Sequence, residues 1–420
     1  MNGDDRAAVL TPPPDAVVPP PPTGRLERLA VEALRRRLGD LPVHVRLWNG
    51  HTLHLGTDPV AVVTLKSRRM LLDLVRNPDL QFGEGFMAGE IDVEGDLVAL
   101  VEAVFRAGAA RQSATRRPVT HSNPVRAARD NVHHHYDLGN DFYRLWLDEQ
   151  MLYTCAYFPS PEATLEAAQI AKMDLVCRKL RLSPGERVVE AGCGWGAFAL
   201  HMARHYGVTV KAVNLSHEQI RYARERARTE GLEARVTFIE DDYRALCDSA
   251  DVFVSIGMLE HVGPGDYQEL GRVIRRTLGE DQGRGLLHFI GRSRPGPLHP
   301  WTVKRIFPGA YPPTLGEVYE GVLEPHDYAV LDVENLRVHY AQTLDHWRRR
   351  YLASRETVRR MFDPCFERAW LLYLSGAQAS FLSGALQLFQ VVFAPAGSKA
   401  IPWRRDAWTE ASWGGAHGQV

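Results

Sequence analysis

Cysteine is scarce in this chain. Its 420 residues hold five, Cys155, Cys177, Cys193, Cys247 and Cys365, with no C-x-x-C pair among them. That argues against a disulfide framework or a sulfur-ligated zinc cluster and fits a reducing cytoplasm. An excess of either charge is missing too. Fifty Lys and Arg stand against 51 Asp and Glu, a net charge of −1, so no global basic field points to nucleic acid. No apolar run approaches the roughly 20 residues of a membrane-spanning helix. The amino terminus has no basic stretch leading into an apolar one, so no secretory signal is expected.

What is present is ordinary for a folded protein: 45% hydrophobic and 24% charged residues, at a length that suits two or three domains. Residues 1–24 carry Pro12-Pro13-Pro14 and Pro19 to Pro22 and read as a disordered or polyproline tail. Residues 25–110 read as a small α+β domain. Apolar positions at helical spacing predict a helix from Leu26 to Leu38, with Arg35, Arg36 and Arg37 toward solvent. Strand-like pieces follow at Val43–Trp48, His51–Leu55 and Val60–Leu65, separated by Asn49-Gly50 and Gly56 turns. Lys66–Arg76 and Leu97–Phe105 read as helices. Gly83, Gly85 and Gly89 mark a turn-rich stretch between them. Residues 111–130, rich in Arg, Ser and Pro, read as a linker.

A second domain spans 131–420. After a helix at Ala168–Leu180 the pattern alternates: strands at 187–191, 208–213, 235–239, 252–256 and 284–290, with helices at 197–206, 216–230 and 266–278. Such alternation predicts an α/β fold with a mostly parallel sheet covered on both faces. Residues 315–393 read as mainly helical with one or two strands.

The most informative run is Val188-Val189-Glu190-Ala191-Gly192-Cys193-Gly194-Trp195-Gly196. It reads as a buried strand, a glycine turn and a helix start. Gly192 and Gly194 let the backbone take positive φ and lie flush against a ligand, and the helix start offers free N–H groups. The motif is E-x-G-x-G-x-G, neither the dinucleotide fingerprint nor a phosphate loop. Glu190 at the strand end suits a ligand with a positive charge and no phosphate, such as S-adenosylmethionine. A glycine turn of some other α/β domain is the plainer alternative. The second strand ends at Asn214-Leu215-Ser216, with Gln219 one turn on. These side chains can hydrogen-bond a ribose or an amino acid moiety, and Ser216 can equally cap the helix. The third strand ends at Glu240-Asp241-Asp242-Tyr243, where a carboxylate could accept from an adenine amino group or simply belong to a charged loop.

Several separated motifs then resemble the cyclopropane-fatty-acyl-phospholipid synthase family, which includes the cyclopropane mycolic acid synthases. They are His135-Tyr136-Asp137-Leu138-Gly139-Asn140-Asp141-Phe142, Tyr153-Thr154-Cys155-Ala156-Tyr157-Phe158, Gly192 to Gly196, Ser255 to Gly263, Leu287-His288-Phe289-Ile290-Gly291, Ile306 to Gly309 and Tyr340 to Leu344. The resemblance covers about residues 131–395 and, more weakly, the amino-terminal domain. It implies a Rossmann-like class I methyltransferase domain with a helical lipid-binding part. The implied reaction adds the methyl of S-adenosylmethionine to a cis double bond of an acyl chain and closes a cyclopropane ring, with bound bicarbonate as the base. The bicarbonate cage falls by resemblance on Cys155, Glu260, His288, Tyr340 and the backbone at Ile290. Cofactor contacts fall on Tyr153, Thr154, Gly192, Cys193, Gly194, Gly196, Asn214, Leu215, Ser216, Gln219 and Asp241 or Asp242. Asn214 stands where many members have Thr, and Ala377 where some have Cys.

Each cage residue has a plainer reading. Cys155 suits a small buried hydrophobe, His288 a satisfied core histidine, and Tyr340 a packed ring with its hydroxyl bonded nearby. Candidate acyl-chain walls are Trp301, Phe307, Tyr311, Trp347, Phe381, Phe389 and Phe393, although the stripe Leu371–Phe393 also reads as helix core. Basic clusters at Arg35–Arg37, Arg111–Arg129 and Arg348–Arg350 could meet anionic headgroups or water. The triplet His133-His134-His135 lacks a carboxylate or cysteine partner, so no metal is expected. The expected partners are unsaturated phospholipid acyl chains at a membrane surface, reached by a cytoplasmic, peripherally associating protein. A homodimer stays open. The alternatives are a methylene- or methyl-branching enzyme of the same family, a lipid binder without chemistry and a small-molecule methyltransferase.

Overall fold

The computed structural model describes residues 24–111, 138–279, 283–398 and Arg405. The Pro-rich tail, almost all of the expected linker, the His triplet and the start of the His135–Phe142 motif lie outside the described residues.

The amino-terminal part builds a four-stranded sheet in the order β2-β1-β3-β4, from β1 (Val43–Arg46), β2 (Thr52–His54), β3 (Ala61–Leu65) and β4 (Ile91–Gly95). β1 and β3 run parallel, and the other pairs are antiparallel. Strand alternation turns Val43, Val45, Ala61, Val63 and Leu65 to one buried face. Helices Arg25–Leu38, Arg68–Arg76, Pro78–Met87 and Leu97–Arg111 complete this unit.

The helix Pro78–Met87 corrects the expected turn-rich stretch. Gly83 and Gly85 lie inside it because neighbours leave no room for a side chain. A Cβ on Gly83 would sit 2.3 Å from Trp301 Cδ1, and one on Gly85 2.4 Å from Met70 Sδ. Close packing here outweighs the roughly 1 kcal/mol that a helical glycine costs. β4 was not expected from the sequence either.

The larger sheet has seven strands in the order β10-β11-β9-β8-β5-β6-β7. Its members are β5 (Arg187–Ala191), β6 (Thr209–Asn214), β7 (Val236–Glu240), β8 (Val252–Ile256), β9 (Arg284–Gly291), β10 (Tyr328–Asn335) and β11 (Gln387–Pro395). β5 to β9 are parallel, and β11 and β10 close the edge antiparallel. This is the mostly parallel α/β sheet that the sequence pattern predicts. All five residues of β8 are buried, as a central strand covered on both faces requires. The chain runs from β5 outward through β6 and β7, then crosses to β8 on the other side. The strand order therefore reverses at β5, and a crevice opens at the carboxyl ends of β5 and β8, where such sheets bind ligands.

Helices Arg337–Ala353 and Pro364–Leu382 pack together beside that crevice. Polar contacts fasten the amino-terminal unit against them. Glu84 pairs with Arg305 at 2.8 Å. Arg368 reaches Asp92 at 2.9 Å and lies over the Phe86 ring at 4.3 Å. Among the described residues no helix is long and apolar enough to cross a membrane.

Candidate active site

The crevice holds two neighbouring cavities. The smaller, about 130 Å³, lies over the end of β5 and is lined by Tyr153, Thr154, Glu190, Gly192, Cys193, Gly194, Asn214, Leu215, Gln219, Asp241 and Asp242. Gly192, at φ +85°, folds back so closely that a Cβ would meet Met258 Cβ at 2.9 Å. Gly194, at φ +53°, faces open space. Two expected contacts do not line this cavity. Gly196 takes a left-handed turn beneath it, where a Cβ would lie 2.6 Å from Phe238. Ser216 is buried and caps helix His217–Thr229, its Oγ accepting from the Gln219 N–H at 3.3 Å.

Asn214 spans the floor. Its amide donates to Gln219 Oε1 at 2.6 Å, and its Oδ1 accepts from the Leu215 N–H at 2.9 Å. Asp242 is tied to Arg244 at 3.0 Å. Asp241 accepts only the Asp242 N–H at 2.8 Å among the described contacts and is exposed.

Glu190 is 3% exposed and its Oε2 has no hydrogen-bond partner among the described residues. Burial pushes its carboxyl up to about 8, against the attraction of Lys172. Lys172 is itself fully buried, and burial pulls its ammonium down to about 8. It donates to Thr154 Oγ1 at 2.9 Å, and Gln169 donates to the Thr154 carbonyl at 2.9 Å. The sequence reading missed Gln169 and Lys172. Their signal was a Gln and a Lys three residues apart on the buried face of helix Leu165–Lys179. A buried carboxylate with one free oxygen and a nearby acidic loop fit a ligand bearing an ammonium and a sulfonium. The open wall at Gly194 leaves room for it.

The larger cavity, about 550 Å³, brings together all five expected cage residues: Cys155, Glu260, His288, Ile290 and Tyr340. It shares Tyr153, Thr154, Gly257 and His261 with the smaller one. Those four residues border both the cofactor floor and the apolar pocket. Gly257, at φ +74°, would bring a Cβ 3.1 Å from Thr154 Cγ2. His261 is held neutral by burial, down to about 4. Both lie in the Ser255 to Gly263 motif, but neither was given a role from the sequence.

The His288 ring has a fixed direction. Lys179 can only donate, so its 2.8 Å contact assigns the Gln390 oxygen to the lysine and the Gln390 amide to His288 Nδ1 at 3.1 Å. Nδ1 is thus an acceptor. Burial and the charges of Lys172 and Lys179 hold the ring neutral, well below the ordinary histidine range. The remaining proton sits on Nε2, which is buried and has no hydrogen-bond partner among the described residues. Glu260 accepts the Ile290 N–H on Oε1, and its Oε2 has no partner among the described residues. Burial lifts its carboxyl to about 7. The Ile290 N–H expected to face the anion is therefore engaged by Glu260. The Cys155 thiol lies 3.1 Å from the Ala156 carbonyl, and burial raises it far above the ordinary thiol range, so it presents a neutral S–H.

Of the expected acyl-chain walls, Trp301, Phe307 and Phe381 line the cavity, together with Tyr373, Gly376 and Ala377 of helix Pro364–Leu382. Four others do not. Tyr311 donates to Glu317 at 2.7 Å. Trp347 packs into an aromatic cluster with Trp146 and Tyr153, at 5.7 and 5.3 Å between rings. Phe389 and Phe393 of β11 fill the spaces over Gly291 and Gly285 of β9. They point away from the cavity because Leu388 points into it, and strand side chains alternate. No cluster suited to a metal ion occurs among the described residues.

The sequence pattern of mycolic acid cyclopropane synthetase matches residues 124–391. The chain belongs to this family. Residues 31–114 separately match a domain of unknown function, DUF7884. A Pseudomonas putida protein named "Probable fatty acid methyltransferase" is 33% identical over 87% of this chain and 96% of its own length. The cyclopropane-fatty-acyl-phospholipid synthase of Escherichia coli K12 is 41% identical over 62% of this chain and 66% of its own. Among solved structures, the cyclopropane synthase MmaA2 of Mycobacterium tuberculosis superposes with a TM-score of 0.60 at 30% identity, over 63% of this chain and 98% of that one. Mycolic acid cyclopropane synthase CmaA1, complexed with S-adenosylhomocysteine and the detergent CTAB, gives 0.59 at 30% identity, over 63% and 97%. Fold and family make the protein an S-adenosylmethionine-dependent methyltransferase.

Proposed function

We propose that the protein transfers a methylene from S-adenosylmethionine to the cis double bond of unsaturated phospholipid acyl chains, forming a cyclopropane ring, with bicarbonate as the base. The observation that carries this reading is that His288 and Glu260 line one apolar cavity while His288 Nε2–H and Glu260 Oε2 are buried and have no hydrogen-bond partner among the described residues. That cavity shares four lining residues with the cofactor floor. A donor and an acceptor in the lining of one apolar pocket suit a small anion bearing one O–H. The relatives that match along most of this chain also favour fatty acyl over mycolic substrates. They are the P. putida protein and the tuberculostearic acid methyltransferase UfaA1 of M. tuberculosis, 32% identical over 86% of this chain.

S-adenosylmethionine, when bound, supplies an electrophilic methyl group; Glu190, Gly192, Gly194, Asn214 and Asp241 are placed to hold it. An alkene is a weak nucleophile, so alignment supplies much of the rate. Tyr153 and Thr154 sit at the passage the methyl must cross. Thr154 is fixed there by Lys172 and Gln169, and the Tyr153 hydroxyl by Tyr373 at 2.6 Å. Tyr340, Phe307 and Phe381 offer π faces to the cation that develops on the acyl chain. His288 and ionised Glu260 would hold a bicarbonate, the ring donating to it and the carboxylate accepting its O–H, and Glu260 would offset the substrate's positive charge. Bound there, that anion would supply a base for the proton that the added methyl must lose as the ring closes.

The test is incubation with S-adenosylmethionine and vesicles of oleoyl phospholipid, followed by gas chromatography–mass spectrometry of the methyl esters. A product one CH₂ heavier that resists hydrogenation supports ring closure. A product of that mass that takes up hydrogen replaces it with methylene branching. A product two hydrogens heavier still points to a methyl branch. Cofactor binding without product removes the phospholipid reading.

A further inference from the structure

We infer that the amino-terminal unit is the far end of the lipid site: part of the acyl chain lies inside it, between the four-stranded sheet and its helices. The inference rests on the acyl-chain reading above and names where that chain goes.

The cavity that ends at Glu260 and His288 does not stop in the catalytic domain. It continues without a break to Leu34, Val45, Val63, Leu74, Phe82 and Leu100. These come from two strands and four helices of the amino-terminal unit. Val45 and Val63 belong to the inward-facing set of β1 and β3. In a small α+β unit that face should be filled by its own helices, because protein interiors hold few voids larger than a water molecule. Here the face borders a cavity of about 550 Å³ that it shares with the reaction site.

Two further observations make the passage a built one. The junction is held by ion pairs around it: Glu84 with Arg305 and Lys304, at 2.5 and 3.4 Å, and Arg368 with Asp92 at 2.9 Å. Gly83 also lets helix Pro78–Met87 lie directly on Trp301, which lines the cavity at the crossing. The lining chosen by the amino-terminal unit is aliphatic and aromatic, and its charged members, Arg37 and Asp79, are exposed. A headgroup would be stripped of water in that interior without partners to replace it, whereas every CH₂ buried there gains by leaving water. The occupant is therefore a hydrocarbon segment, either the methyl-terminal end or the stretch next to the carboxyl group.

Photolabelling tests this with the full chain. Vesicles of monounsaturated phosphatidylglycerol carry a diazirine either at the methyl end or near the carboxyl end of the acyl chain. After irradiation the labelled peptides are mapped, and turnover of the same vesicles is measured in parallel. Labelling within residues 25–108 by either probe is the expected result, and the probe that labels identifies the end. Turnover with labels confined to residues 138–398 overturns the inference and leaves the proposed activity standing. Neither turnover nor labelling overturns both. The Leu100→Trp variant, checked for an unchanged melting profile, should lower the ratio of long-chain to short-chain turnover by about tenfold; an unchanged ratio counts against the site.

Discussion

Gln390 stands directly across from His288 in the register of β11 and β9 and donates to its Nδ1 at 3.1 Å. This pair decides which face of the imidazole carries the proton. Replacing Gln390 with Glu keeps the shape and the contact with Lys179 but offers His288 an acceptor in place of a donor. The ring then places its proton on Nδ1, and Nε2 turns into an acceptor facing the anion site. Turnover should fall by about 10- to 100-fold, the scale of one misdirected buried hydrogen bond at about 1–3 kcal/mol. Cofactor affinity should stay near that of the native protein. Gln390→Leu should lose less, since the proton can still rest on Nε2. Equal activity in all three proteins would show that the tautomer does not matter.

Glu260 should set the acidic limb of the pH profile. Its carboxyl is raised to about 7 by burial, with the Ile290 N–H opposing, and the proposed role needs the carboxylate. Turnover should therefore rise as pH climbs through about 7. Glu260→Gln should remove the limb and nearly all turnover while S-adenosylmethionine binding, followed by calorimetry, persists. A variant with native turnover would take Glu260 out of the cage.

The sheet was legible because its period-2 and helical patterns are strong and its connections short. That Cys155, Glu260, His288 and Tyr340 line one cavity was legible only through resemblance, since they come from four distant segments that composition cannot bring together. What escaped had local signals of the wrong kind. Gly83 and Gly85 looked like turn residues because the neighbours that demand them, Trp301 and Met70, are remote or on another helix. Phe389 and Phe393 looked like tunnel walls because residue type says nothing of strand parity, and Leu388 took the cavity side. Gln390 and Lys179 touch His288 or its partner and do not line the cavity, so no motif quoted for the site contains them. The reach of the cavity into the amino-terminal unit needs the tertiary junction itself.

Glu190 should couple cofactor binding to pH. Burial raises its folded-state carboxyl from 4.5 to about 8. Between those values the folded protein binds more protons than the unfolded chain, so its contribution to stability is present at low pH and lost as pH rises through about 8. Glu190→Gln should flatten that part of the decline in melting temperature. A cationic ligand favours the ionised carboxylate. S-adenosylmethionine should therefore expel a proton on binding at pH 7, measured as a dependence of calorimetric enthalpy on buffer ionisation. Glu190→Gln should abolish the dependence. Binding with no proton release in the native protein would place the ligand's positive charge elsewhere.

The glycines of the floor separate a structural from a ligand-facing demand. A side chain at Gly192 would strike Met258 at 2.9 Å, so Gly192→Val should disturb the fold itself. At Gly194 nothing lies within 4 Å of a Cβ, and the side chain would project into the cofactor cavity. Gly194→Val should then cost about 1–2 kcal/mol of backbone strain at its positive φ, lowering the melting temperature by only a few degrees. Its cofactor affinity should fall at least about a hundredfold, a loss of roughly 2.7 kcal/mol or more. Calorimetric titration of both variants, alongside their melting curves, distinguishes the cases. If Gly194→Val bound S-adenosylmethionine as tightly as the native chain, the cavity over β5 would not be where the cofactor rests.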